Sequence, residues 1–156
     1  MAPASANGPV HNDYAEESGR RRLALVLGEE AVQVFRRRYA IVNVWRLIKA
    51  PVLDTPLAVC DARTIDATDL VSGEVRYPRR VGDIYLALHS PLHSPLHRWH
   101  WFSAMDRHEA GGVKQYDSRV NGVARCTPHP AFDHPGAPEG LPPKESIEAR
   151  CLVVYH

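Results

Sequence analysis

No apolar run in the 156 residues approaches the ~18 that a membrane span requires. The first ten residues, MAPASANGPV, have neither the basic nor the apolar region of a signal peptide. Cysteine is scarce too. Cys60, Cys126 and Cys151 form no C-x-x-C pair, and their odd count argues against a disulfide framework. Each sits in an apolar, strand-like stretch and reads as a small core residue of a protein kept in a reducing compartment. An excess of one charge is also missing: 19 basic against 18 acidic side chains leave +1. That removes the general field that draws nucleic acid or an anionic membrane. The basic runs Arg20–Arg22 and Arg36–Arg38 read as the solvated ends of a helical segment. These absences predict a cytoplasmic globular protein of one domain, long enough to bury its own core.

What is present organises as one helical unit followed by strands. Over Glu16–Arg38, Leu23, Val26, Leu27, Ala31, Val32 and Phe35 recur at helical spacing, with Gly28 as a break between two short helices. Strands are predicted at Ala40–Leu47, Leu57–Ala62, Val75–Tyr77, Asp83–Leu88, Arg98–Phe102, Gly112–Tyr116, Val123–Thr127 and Ser146–Tyr155. Residues 1–9 read as a flexible terminus and 10–156 as a single, mainly β domain. Short strands at this spacing predict a jelly roll, the cupin-like double-stranded β-helix, with a β-sandwich under a helical cap as the alternative. The stretch Asp133–Pro143 holds four of the thirteen prolines and reads as a rigid loop.

Histidine is the abundant oddity. Nine occur, four of them within LHSPLHSPLHRWH: His89, His93, His97 and His100. A tandem SPLH copy accounts for this cluster, and its prolines prevent helical ligand spacing. His89 and His93 are therefore expected in a loop, whereas His97 or His100 is expected to line a pocket from the strand HRWHWF. Better metal chemistry lies elsewhere. In VHNDY, His11 and Asp13 would share one face of a strand, and His129 in TPHPAF is fixed between prolines. Two imidazoles and a carboxylate make a facial triad that leaves positions on Fe(II) open for a cosubstrate and O₂. Near the end, Lys144, Ser146, Glu148 and Arg150 alternate onto one strand face, where a cation and a hydroxyl would suit a bound dicarboxylate. The bland readings are a disordered His11 and a surface ion pair for Glu148.

The motifs VHNDY, RRRYAIVNVWRLIKAPVLDTPLAVCDA, HRWHWFSAM, VKQYDS, PHPAFDHP and KESIEAR follow in order over residues 10–155. In these the chain resembles the fungal hydroxylase/desaturase family that includes gibberellin desaturase and 7α-cephem-methoxylase relatives, which are Fe(II)/2-oxoglutarate-dependent oxygenases of secondary metabolism. The resemblance implies iron on His11, Asp13 and His129, with 2-oxoglutarate held by Lys144 or Arg150 beside Ser146. It also implies Asn43, Trp45 and Arg46 near the active site, Arg46 having a structural role toward Asp61 as its alternative. Tyr14 and His100 are the candidate acid–base groups. The chain departs from the family's pattern in Lys144, where arginine is usual, in His100, where tyrosine is usual, and in the few residues that precede His11. The last departure leaves three readings: a minimal member, a homodimer that completes the pocket, or a relative without oxygenase activity. The expected function is oxidation of a small secondary metabolite. Its rivals are a non-redox cupin-like isomerase or lyase and a non-catalytic paralogue serving as a partner subunit.

Overall fold

The computed structural model describes residues 9–49, 51–78, 80–87, 96–121 and 124–156. All but Pro9 of the expected flexible terminus, and residues 88–95 with His89, His93 and most of the SPLH repeat, lie outside the described residues. The chain runs β1 (His11–Asn12), α1 (Glu16–Leu27), α2 (Ala31–Val34), β2 (Tyr39–Leu47), β3 (Ala58–Cys60), β4 (Leu70–Tyr77), β5 (Arg80–Ala87), β6 (Trp99–Trp101), β7 (Gly111–Asp117) and β8 (Ser146–Val154). The strands form three antiparallel sheets, ordered β1-β5-β4, β7-β2-β8 and β3-β6. The protein is thus mainly β with one helical unit.

β2 is central because its β-branched and aromatic residues suit a strand hydrogen-bonded on both sides. It faces β8 with Asn43 opposite Arg150, Trp45 opposite Glu148 and Leu47 opposite Ser146. Alternation buries Ile41, Asn43, Trp45 and Leu47 and leaves Val44 and Arg46 exposed. Against β7 the register slips: Val42 faces Lys114 while Ile41 faces Tyr116, so Gln115 is the extra residue of a bulge. That bulge turns Gln115 and Tyr116 both inward, where both are buried.

α1 opens with Glu16 and Glu17, whose charges suit a helix N-terminus. The Ala15 amide donates to Ser18 Oγ at 2.9 Å. The helix ends at Gly28, whose φ of 55° is open to glycine at little cost. Its apolar side packs Leu23, 1% exposed, against Tyr14, Tyr39, Ile41 and Tyr116. Farther along β2, a second cluster joins Trp45 and Leu47 to Val52 and Met105.

Two expectations need correction. The helical segment stops well short of Arg38: α1 closes at Gly28, and α2 ends at Val34. No strand occupies 124–127, where Val123–Thr127 was expected; Pro128 and Pro130 lack the donors for a ladder, and only isolated bridges, His11 with His129 and Leu57 with Ala131, follow. Among the described residues, no helix is long and apolar enough to cross a membrane.

Candidate metal centre

β1 and the proline-flanked segment around His129 are joined by a reciprocal pair of backbone bonds. The His129 amide donates to the His11 carbonyl at 2.9 Å, and the His11 amide to that of His129 at 3.2 Å. The two imidazoles are thereby held with centroids 4.8 Å apart. The Nδ1 of His129 lies 2.9 Å from the Thr127 carbonyl, and the Nδ1 of His11 lies 2.9 Å from the Pro9 carbonyl. A carbonyl only accepts, so each Nδ1 carries the proton and each Nε2 keeps its lone pair. Asp13 Oδ1 stands 3.5 Å from His11 Nε2. One donor atom from each of His11, Asp13 and His129 falls within 4.8 Å of the others. Two imidazoles and one carboxylate grouped this closely fit Fe(II) with open positions.

The other carboxylate oxygen of Asp13 is engaged. Oδ2 accepts from Asn43 Nδ2 at 2.7 Å and lies 3.0 Å from Arg150 Nη2. The Asp13 amide donates to Gln115 Oε1 at 3.0 Å. Burial pushes the Asp13 pKa up, but the His11 bond, the Arg150 charge and the Asn43 bond outweigh it and hold it at about 2. The same Asp13 contact raises His11, against its burial. Burial lowers His129, which keeps that imidazole neutral and ready to ligate. Between His11 and Asp13, Asn12 points the opposite way, fully buried, and donates to the Tyr14 and Gln115 carbonyls.

The remaining candidates separate along β2 and β8. Trp45 is buried one alternation beyond Asn43 and lines an apolar cavity of about 200 Å³ with Leu57, Phe102, Met105 and Val113. Lys144 Nζ reaches back over the Trp45 ring, 5.6 Å from its centroid, and donates to the Thr55 carbonyl at 2.5 Å. Ser146 opens β8 opposite Leu47, and Glu148 Oε1 accepts from Arg150 Nε at 3.2 Å. Tyr14 is buried in the helix-side core, with the Arg150 guanidinium 6.0 Å from its ring centroid.

Two candidates stand apart from this group. Arg46 lies on the outer face of β2 and donates to the Arg107 carbonyl at 2.9 Å, while Asp61 is paired with Arg63 at 2.6 Å. His100 is exposed on β6, opposite Val59. Its neighbour His97 is buried, 3.0 Å from Asp69 Oδ2. Sequence reasoning missed Asn12 and Gln115. Asn12 stands between the two polar residues of the H-x-D motif and Gln115 beside Lys114, so their roles become visible only once burial is known.

A family profile described as an oxidoreductase/YMDC permease-like domain matches residues 2–154. The chain is 37% identical over 153 residues to a hydroxylase/desaturase of Cercospora beticola, covering 94% of this chain and 46% of that protein. It is 37% identical over 145 residues to an Fe(II)/2-oxoglutarate-dependent dioxygenase of Aspergillus novofumigatus, covering 92% and 51%. Among solved structures it is similar to the iron and alpha-ketoglutarate-dependent endoperoxidase NvfI, with a TM-score of 0.83 at 34% identity, over 96% of this chain and 54% of that one. The chain spans about half the length of the curated relatives it matches.

Proposed function

The chain belongs to the hydroxylase/desaturase family, and from that premise we propose that it is a jelly-roll oxygenase that uses Fe(II), 2-oxoglutarate and O₂ to oxidise a small, apolar secondary metabolite. One observation carries the proposal: His11, Asp13 and His129 converge with both Nε2 lone pairs and Asp13 Oδ1 left for a metal. Iron with 2-oxoglutarate and O₂ would supply the oxidising power that no side chain has. The chain's own part is to bind, orient and keep water out.

Lys144 is the better anchor for the far carboxylate of 2-oxoglutarate. Its ammonium hangs over Trp45, one alternation from Asn43 and thus about 7 Å along the strand from the Asp13 end. That is the reach of a five-carbon dicarboxylate. Burial lowers its pKa, and a desolvated ammonium beside an aromatic ring and one carbonyl is well placed to gain from an anionic partner. Ser146 supplies a hydroxyl at the same end. Arg150 is already shared between Asp13 and Glu148. The apolar cavity beside Trp45 keeps water from the carbon chain, and that lining favours an apolar substrate.

Three free cysteines suit a cytoplasmic setting. Among the described residues, β8 has a strand neighbour on one side only, and its first five residues are exposed. A second copy packing there would complete the pocket as a homodimer.

The test is equilibrium binding. Wild type should take one Fe(II) per chain, and His129→Ala should take none. Lys144→Met should keep the iron and bind 2-oxoglutarate roughly tenfold more weakly or worse, as expected when a charged hydrogen bond is lost. Full iron in a folded His129→Ala protein would sink the triad, and unchanged 2-oxoglutarate affinity in Lys144→Met would remove the anchor.

A further inference from the structure

The two oxygens of Asp13 are not equivalent. Oδ1 faces His11 Nε2, whereas Oδ2 carries two donors, Asn43 Nδ2 at 2.7 Å and Arg150 Nη2 at 3.0 Å. Those donors come from facing positions of β2 and β8, since Asn43 and Arg150 are register partners. Both are themselves braced. Asn43 is fully buried between its neighbouring strands, and Arg150 Nε is tied to Glu148 at 3.2 Å. Asp13 is fixed from behind as well, by its amide bond to Gln115.

We propose that Asn43 and Arg150 form a clamp on Asp13 Oδ2 that restricts this carboxylate to one-oxygen ligation through Oδ1. The inference rests on reading His11, Asp13 and His129 as the metal centre, and it assigns Asn43 and Arg150 as positioning residues. A carboxylate free to turn would give a divalent metal both oxygens and occupy an extra coordination position. Holding Oδ2 by one hydrogen bond, from Asn43, and one contact ion pair, with Arg150, opposes that rotation. In octahedral geometry two imidazoles and one oxygen leave three positions, and a chelating carboxylate would leave two. The clamp therefore keeps open the third position, the one a co-reactant needs beside a chelating keto acid. Asn43 suits the task better than a charged donor would, because it adds no second charge to a buried site. Its Oδ1 is buried without a hydrogen-bond partner, so only its amide donor is used.

Mn(II) alone is the probe, and the readout is the number of exchangeable waters on the bound ion, measured by line broadening in ¹⁷O-enriched water. Wild type should show three waters. Asn43→Leu removes the donor together with an unpartnered oxygen, so it should fold. The Arg150 side chain is 38% exposed, so Arg150→Met should fold as well. Each single variant should fall below three, and the double variant should reach two with Mn(II) still bound. Arg150→Lys, which retains a cationic donor, should return the count toward three, an outcome that simple loss of packing would not give. Three waters in the double variant, two in wild type, or an unchanged count in Arg150→Met would overturn the clamp. Failure of wild type to bind Mn(II) at all would instead defeat the metal centre on which the clamp rests.

Discussion

Asp117 shows how much a single residue does at the far end of β7. Its side chain is completely buried and accepts from Arg38 Nη2 at 2.7 Å, from Lys114 Nζ at 3.1 Å and from the Arg119 amide at 3.0 Å. Burial alone would raise its pKa, but these partners lower it from 3.8 to about 2. A carboxyl with a depressed folded-state pKa stabilises the fold fully above its unfolded value and loses that contribution as pH falls through the folded one. Roughly 2 kcal/mol should therefore disappear between about pH 4 and about pH 2. Urea unfolding of wild type and Asp117→Asn should differ by about that much or more near neutrality and converge near pH 2. A gap independent of pH would show that charge is not the cause. At this scale the sequence was partly legible. His11, Asp13 and His129 were candidates by residue type and H-x-D spacing, a pattern common by chance that the family resemblance strengthened, and the structure brings the three together. The family resemblance placed Asn43 near the site, but its bond to Asp13 came only from register, as did the role of Gln115, because an amide opposite Arg150 or at a bulge looks like any other amide in the linear string.

At the scale of elements, the seat of α1 is set by a glycine. A Cβ on Gly19 would press into the Tyr116 ring, which is itself stacked on Tyr39 with centroids 5.7 Å apart. Gly19→Ala gains up to about 1 kcal/mol in helix propensity. The overlap with a ring buried in the core costs about 1–3 kcal/mol, so net destabilisation is expected. A thermal melt of Gly19→Ala at or above the wild-type midpoint would contradict the close approach. The helix boundary at Gly28 and most strands were readable from periodicity and turn residues. The first half of β4 was not, because Ser72 and Gly73 interrupt its apolar pattern. Gly73 is there for contact: a Cβ would lie 2.9 Å from Leu86 Cδ1 on β5. The stretch leading to His129 failed for the opposite reason. It has strand composition, but its prolines deny it a ladder, and tertiary bridges to β1 place it instead.

For the whole molecule, β2 acts as the common rail. Its helix-side residues pack the core under α1, Asn43 meets Asp13, and Trp45 lines the apolar cavity and carries Lys144 over its ring. On the proposed reading, the candidate ligand Asp13 and the candidate anchor Lys144 thus meet β2 one alternation apart, as a bound dicarboxylate would require. The most direct measurement is an anaerobic titration of the apoprotein, first with Fe(II) and then with 2-oxoglutarate, followed in the visible region. A metal-to-ligand charge-transfer band that grows to one equivalent of each, and is absent in His129→Ala, is the predicted result. Iron that binds without any such band when 2-oxoglutarate is added would contradict the account.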